Sequence, residues 1–175
     1  MLLLPGILAF CLFIVFDLNK IRWHKPLLNR FFALGSMLLI LSTALCVMQT
    51  ATEFTLSPYK AFTLAALLFS CGALIYALFF ALPFGDTYKQ SKKLPLVSAG
   101  IYGLCRHPGF WPFLLIYFFL WLSFSGRWLM WAMLVFPLCN LIYIIIQDKY
   151  IFPLYIEGYD SYKLAVPFLI PRRKR

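Results

Sequence analysis

Polar and apolar positions along the chain fall into long blocks rather than a short alternation. Five apolar runs stand out: Leu2 to Leu18, Phe31 to Gln49, Ala61 to Leu82, Gly109 to Phe124 and Trp128 to Ile146. A hydrocarbon core of about 30 Å takes roughly 20 helical residues to cross, and four of these runs approach that length. The run from Gly109 is shorter and reaches only about 24 Å at 1.5 Å per residue. Only Ser125-Gly126-Arg127 separates it from the next run, so the two predict a tight antiparallel hairpin. No ten-residue alternation of the kind found in membrane barrels is present. The pattern predicts an all-α integral membrane protein with about five transmembrane helices. Residues 1–175 read as one membrane domain, a three-helix part (1–83) followed by a loop, hairpin and tail (84–175).

Composition agrees with the pattern. Hydrophobic residues make up 63% of the chain and charged ones 13%, and mean hydropathy is +0.84; a soluble domain is about half apolar and a quarter charged. The first run has neither a basic leader nor a small-residue cleavage site, so it reads as a retained helix. The five cysteines (Cys11, Cys46, Cys71, Cys105, Cys139) form no paired spacing, which argues against a disulfide framework or a metal site.

The net charge of +10 speaks through its placement. Lys20, Arg22, Lys25 and Arg30 occupy the first loop, Lys89, Lys92, Lys93 and Arg106 the third, and six more Lys and Arg the tail from Lys149 to Arg175. Lys60 and Arg127 alone mark the second and fourth loops. Cytoplasmic loops hold the excess of basic residues, which puts the N-terminus outside and the tail in the cytoplasm. The closing Arg-Arg-Lys-Arg is a headgroup-binding cluster at a bilayer, with no nucleic acid as partner.

Candidate chemistry gathers where the third basic loop meets the fourth run, in Gly100-Ile-Tyr-Gly-Leu-Cys-Arg-His-Pro-Gly-Phe-Trp-Pro112. Pro108 suits a first helical turn, because its missing N–H would have no partner there. Arg106 and His107 therefore sit at the positive end of a helix dipole, a place for an anionic group. A plain interfacial cap with a snorkelling arginine fits the same position. In the tail, Tyr155, Tyr159 and Tyr162 fall at i, i+4 and i+7 and predict one face of an interfacial amphipathic helix. That face is either an aromatic anchor at the bilayer surface or a lid of phenol rings over Arg106 and His107.

Leu96-Val-x-x-Gly100-x-Tyr102-x-x-x-Arg106-His-Pro108, followed by an apolar hairpin, resembles the membrane methyltransferases related to isoprenylcysteine carboxyl methyltransferase, with phospholipid N-methyltransferases as more distant relatives. In that family the last helix ends in a Glu-Glu pair, followed by a Leu, a Phe-Gly, two Tyr three apart and Val-Pro. Here Gln147-Asp148, Ile151, Tyr155-Ile156, Tyr159, Tyr162 and Val166-Pro167 keep the spacing. The likeness covers about Leu94 to Pro171.

The resemblance implies S-adenosyl-L-methionine as cofactor and methyl transfer to a lipid-like or prenylated carboxylate or amine. By position, Arg106 and His107 would be the catalytic pair. Leu94, Pro95, Leu96, Val97, Gly100, Tyr102, His107, Pro108, Gly109, Phe110 and Gln147 would line the cofactor pocket, closed by Tyr159 and Tyr162. The cofactor's carboxylate suits Arg106 and His107, and its sulfonium suits aromatic faces. Tyr143 stands where prenylcysteine enzymes carry a cation suited to the substrate carboxylate, so a neutral or zwitterionic acceptor is expected at Tyr143. Gln147-Asp148 for Glu-Glu and Tyr155-Ile156 for Phe-Gly depart from the family. Two other outcomes stay open: an NADPH-dependent reductase of the sterol reductase type, and a non-catalytic protein that keeps the fold.

Overall fold

Each apolar run forms a helix in the computed structural model, which describes residues 1–50, 55–81 and 95–171. Helix α1 spans Leu4–Leu18, α2 Phe31–Met48, α3 Pro58–Ile75, α4 Phe110–Phe124 and α5 Arg127–Ile146. With the turns that extend them, four are long and apolar enough to cross a membrane, and α4 is a shorter apolar helix. The chain is an all-α, multi-pass membrane protein.

The boundaries follow local chemistry. Helix α3 starts three residues before the apolar run, because Pro58 opens its first turn and the Ser57 side chain accepts from the Lys60 N–H at 3.3 Å, an N-cap bond. Helix α4 stops at Ser125, whose φ of 52° turns the chain, and Gly126 follows because a Cβ there would run into Thr50. Helices α1, α3 and α5 each run on into a five-residue π turn, Asn19–Trp23, Tyr76–Phe80 and Gln147–Ile151. Such wide turns recur at functional sites.

Lipid is as apolar as leucine, so close packing and side-chain hydrogen bonds hold the helices together rather than burial from water. Phe10 and Phe13 of α1 meet Tyr117 of α4 and Phe136 of α5 in the central cluster, with Ala9 and Ala132 letting the backbones approach. Gly35 does the same for α2: a Cβ there would press on the Phe13 ring and the Ala9 carbonyl. Two hydroxyl pairs cross between helices, Thr43 with Tyr117 at 2.9 Å and the buried Thr63 with Ser123 at 2.8 Å. Helix α1 packs mainly on α2, and α3 mainly on α4, while α2 and α3 make little contact with each other.

The tail differs from the single amphipathic helix expected of it. Helix α6 covers Phe152–Tyr155 and α7 covers Tyr159–Ala165. Between them Ile156 is extended and Gly158 has φ 72°, a conformation that favours glycine. Tyr155 is thereby separated from Tyr159 and Tyr162, which stay together on α7 and are buried against Val166, Leu96, Phe152 and Ile156.

Candidate functional site

At the end of the bundle where the π turns lie, the helix ends, the 95–110 stretch and the tail enclose a cavity of about 510 Å³. That is ample for a small molecule, whose sites run from roughly 300 to 1,000 Å³. Of the residues expected from sequence, Pro95, Leu96, Val97, Tyr102, Arg106, His107, Pro108, Gly109, Phe110, Tyr143, Gln147, Tyr159 and Tyr162 all line it. Gly100 does not. It has φ 61° and shapes the short 3-10 turn Gly100–Gly103 instead. Leu94 lies outside the described residues, as do Lys89, Lys92 and Lys93.

The tail holds the 95–110 stretch by its backbone. Arg106 N–H donates to the Pro167 carbonyl at 2.9 Å and His107 N–H to the Phe168 carbonyl at 3.3 Å, while the Trp111 indole donates to Leu169 O at 2.9 Å. Tyr162 Oη donates to the Tyr102 carbonyl at 2.6 Å, and Tyr102 Oη to Ala77 O of the α3 π turn at 2.9 Å. Burial pushes the Tyr102 phenol up. It raises Tyr162 to about 12 for the same first reason. Both rings remain neutral donors.

Arg106 is occupied by the protein itself. Nε and Nη2 donate to the two oxygens of Asp148 at 2.8 and 3.1 Å, and Nη1 donates to the carbonyls of Lys163 and Val166 at 3.0 and 2.6 Å. A guanidinium is the one side chain that can fill such a planar fork and two carbonyls at once. The Asp148 carboxylate also accepts from Tyr159 Oη at 2.7 Å. Arg106 therefore fastens the 95–110 stretch to the tail, rather than presenting a free cation to a ligand carboxylate as its position in sequence suggested.

His107 is buried, stacked on Phe152 (5.8 Å between centroids) and edge-on to Phe168. Desolvation lowers its pKa, against the opposing pull of Asp148, so the ring is neutral. Nε2 lies 3.4 Å from Asp148 Oδ1, which can only accept; the imidazole proton therefore sits on Nε2 and Nδ1 carries a lone pair. Among the described residues Nδ1 has no hydrogen-bond partner, and no fully buried side-chain nitrogen or oxygen lacks one. Nδ1 is thus a free acceptor among the described residues, on a side chain that lines the cavity.

No family model matches the chain. Neither does any curated protein or solved structure.

Among the polar lining residues absent from the expectations is Asp17, in the last turn of α1. Its Oδ2 accepts from Tyr143 Oη at 2.7 Å and from Gln147 Nε2 at 2.8 Å. Lys20, one turn on, shares the cavity wall and places its ammonium 4.5 Å from the Phe16 ring centroid. A lone acid at the end of an apolar run reads as an interface marker in sequence. Its only pointer was that Asp17 falls before the basic cluster, still inside the hydrophobic stretch. Consecutive residues of the α5 π turn thus serve two clusters, Gln147 facing Asp17 and Asp148 facing Arg106. Among the described residues no cluster of His, Cys, Asp or Glu could hold a metal ion.

The rest of the wall is mostly apolar and aromatic, with Ser36 and Asn140 as further polar side chains. Ser36, Leu39 and Ile40 of α2 face Leu74, Leu78 and Phe79 of α3 and its π turn across the sparse α2–α3 seam. Ile40, Leu78 and Phe79 are also exposed on the outer surface.

Proposed function

We propose that the chain is a membrane methyltransferase that uses S-adenosyl-L-methionine on a lipid-like acceptor. One observation carries the reading: a loop motif and a tail block some fifty residues apart wall one aromatic cavity, whose lining continues into exposed apolar side chains of α2 and α3 such as Ile40 and Leu78. A soluble cofactor and a bilayer-borne acceptor need a polar end and an apolar end of this kind.

The residues present fit such a cofactor. Tyr102, Phe110, Tyr159 and Tyr162 offer π faces to an adenine ring and a sulfonium cation. His107 Nδ1 accepts from an ammonium or an exocyclic amine, and the start of α4 offers N–H groups to a carboxylate. When bound, the cofactor supplies an electrophilic methyl group. The chain's own part is alignment and exclusion of water: Arg106 and Asp148 lock the wall, and the tyrosines of α7 cover it. By the charge distribution the N-terminus lies outside and the tail in the cytoplasm. Lys20 and Arg106 flank this cavity, which supports placing the first loop, the third loop and the tail on one side.

The test is calorimetric titration of the purified chain with S-adenosylhomocysteine and with NADPH. Binding of the first alone is expected. His107→Ala should weaken it roughly ten- to a hundred-fold, the worth of one hydrogen bond to a charged group. His24→Ala, in the first loop, should not. Binding of NADPH alone would make the protein a reductase, and binding of neither would make it non-catalytic.

A further inference from the structure

Asn140 lies inside the apolar span Arg127–Tyr155, where an amide needs a reason. Hydrocarbon offers it no partner, so such a side chain either bonds to a neighbouring helix or meets something in a cavity. Asn140 carries two donors and an acceptor, yet its side chain makes no hydrogen bond among the described residues. It is half-buried. No fully buried side-chain nitrogen or oxygen among those residues lacks a partner, so both amide atoms reach open space.

That space is not the lipid. The exposed face of α5 carries Trp131, Leu134, Leu138 and Ile142. At about 100° per residue, Asn140 lies roughly 200° around the helix from both Leu138 and Ile142. It shares the opposite face with Phe136, Tyr143 and Gln147, and it lines the cavity with the last two. Those two already donate to Asp17. Ser36, on α2, spends its hydroxyl proton on the Phe32 carbonyl of its own helix at 2.9 Å. Asn140 thus keeps its whole hydrogen-bonding capacity, in a wall it shares with Phe10, Phe13, Leu39 and Phe113. An unpaired amide there is costly to the empty protein.

We propose that Asn140 is a specificity residue that recognises an uncharged oxygen function, a ketone, ester or hydroxyl, set within the apolar body of the bound acceptor. Seven residues of helix separate it from Gln147, so that function lies about 10 Å from the acceptor's polar end. The inference rests on reading the cavity as an acceptor site. It adds a second polar point to the acceptor, one that a plain hydrocarbon tail lacks.

The experiment uses the full chain in detergent micelles doped with stearyl alcohol or with its keto analogues, the carbonyl moved stepwise along the chain. Retained probe is read by native mass spectrometry. Retention by the parent should peak at one carbonyl position, roughly two- to tenfold above stearyl alcohol, the worth of one hydrogen bond between neutral groups. Asn140→Leu should flatten the profile to the level of stearyl alcohol, and Asn140→Ala should do the same if leucine overfills the space. Without probe, the thermal midpoint of the flattened variant should equal or exceed that of the parent, because an unpaired amide has been removed; an amide that braces the fold would lower it. A flat profile in the parent, a peak that survives both substitutions, or a midpoint that falls in both overturns the proposal. S-adenosylhomocysteine binding is measured on the same samples. Binding with a flat profile removes this inference and leaves the methyltransferase reading standing. An Asn140-dependent peak with no such binding by the parent does the reverse.

Discussion

Replacing Asp148 with asparagine should loosen the attachment of the 95–110 stretch to the tail far more than its size suggests. The carboxylate answers two guanidinium N–H groups and the Tyr159 hydroxyl, and both partners of the ion pair are about nine-tenths buried. Breaking a buried pair by removing one charge costs about 3–5 kcal/mol, because the other charge is left uncompensated. Cys105, next to Arg106, is 2% exposed, and burial raises its thiol pKa, so it reacts only when the segment opens. In a variant retaining Cys105 as its single cysteine, maleimide labelling in detergent reports that opening. At 1.4 kcal/mol per decade, Asp148→Asn should speed labelling roughly 100- to 4,000-fold. Tyr159→Phe removes one bond to a charged group, about 1.5–3 kcal/mol, and should speed it roughly ten- to a hundred-fold. Arg106→Met with Asp148→Leu should lie near the parent, since an apolar pair of similar volume leaves no stranded charge. Labelling of Asp148→Asn within threefold of the parent would show that the ion pair does not hold the segment.

Four further outcomes follow from the geometry. His107 has its pKa depressed below 6.5 by burial, so the folded state resists protonation and stability should fall as pH drops below about 6.5. Thermal midpoints of the parent should decline from pH 7 to 5, and those of His107→Gln should decline less. Gly6→Ala should cost about 1–3 kcal/mol by overpacking, because its Cβ would enter the Phe136 ring; Phe136→Leu in the same chain should recover part of the midpoint. Gly158→Val should cost at least about 1–2 kcal/mol at φ 72° with open space around it, and Gly158→Asn less, as read by the same melts. Labels at Lys25 and Lys60 should react from opposite faces of sealed vesicles, and reaction of both from one face would reverse the topology reading.

The apolar runs made the helices legible because a membrane span needs little more than length and hydropathy. Four of the five agreed with the observed bounds to within two residues; α3 began three residues early, because Ser57-Pro58 is a capping signal hidden in a polar linker, and gave way to its π turn after Ile75. The residues that line the cavity were legible as two blocks, but not what they face. Arg106 looked like a ligand cation, and only the fold brings Asp148 and two tail carbonyls to it from forty to sixty residues away. The helical spacing of Tyr155, Tyr159 and Tyr162 pointed to one face until Gly158 broke it, a local choice that periodicity outvoted. Asp17 escaped notice because its partners, Tyr143 and Gln147, are about 130 positions distant.

The way the tail holds Arg106 sets an order on biosynthesis. Its acceptors belong to Asp148, Lys163 and Val166, and the backbone acceptors for the same stretch are Pro167 and Phe168. Helices α1 to α4 are synthesised before any of these residues. The cavity wall comes together last, once the segment ending at Phe168 has left the ribosome. Ribosomes stalled with the Asp148 to Phe168 segment still inside the exit tunnel, and with it cleared of the tunnel by an added C-terminal extension, should therefore carry chains that differ in Cys105 protection while sharing the same membrane insertion.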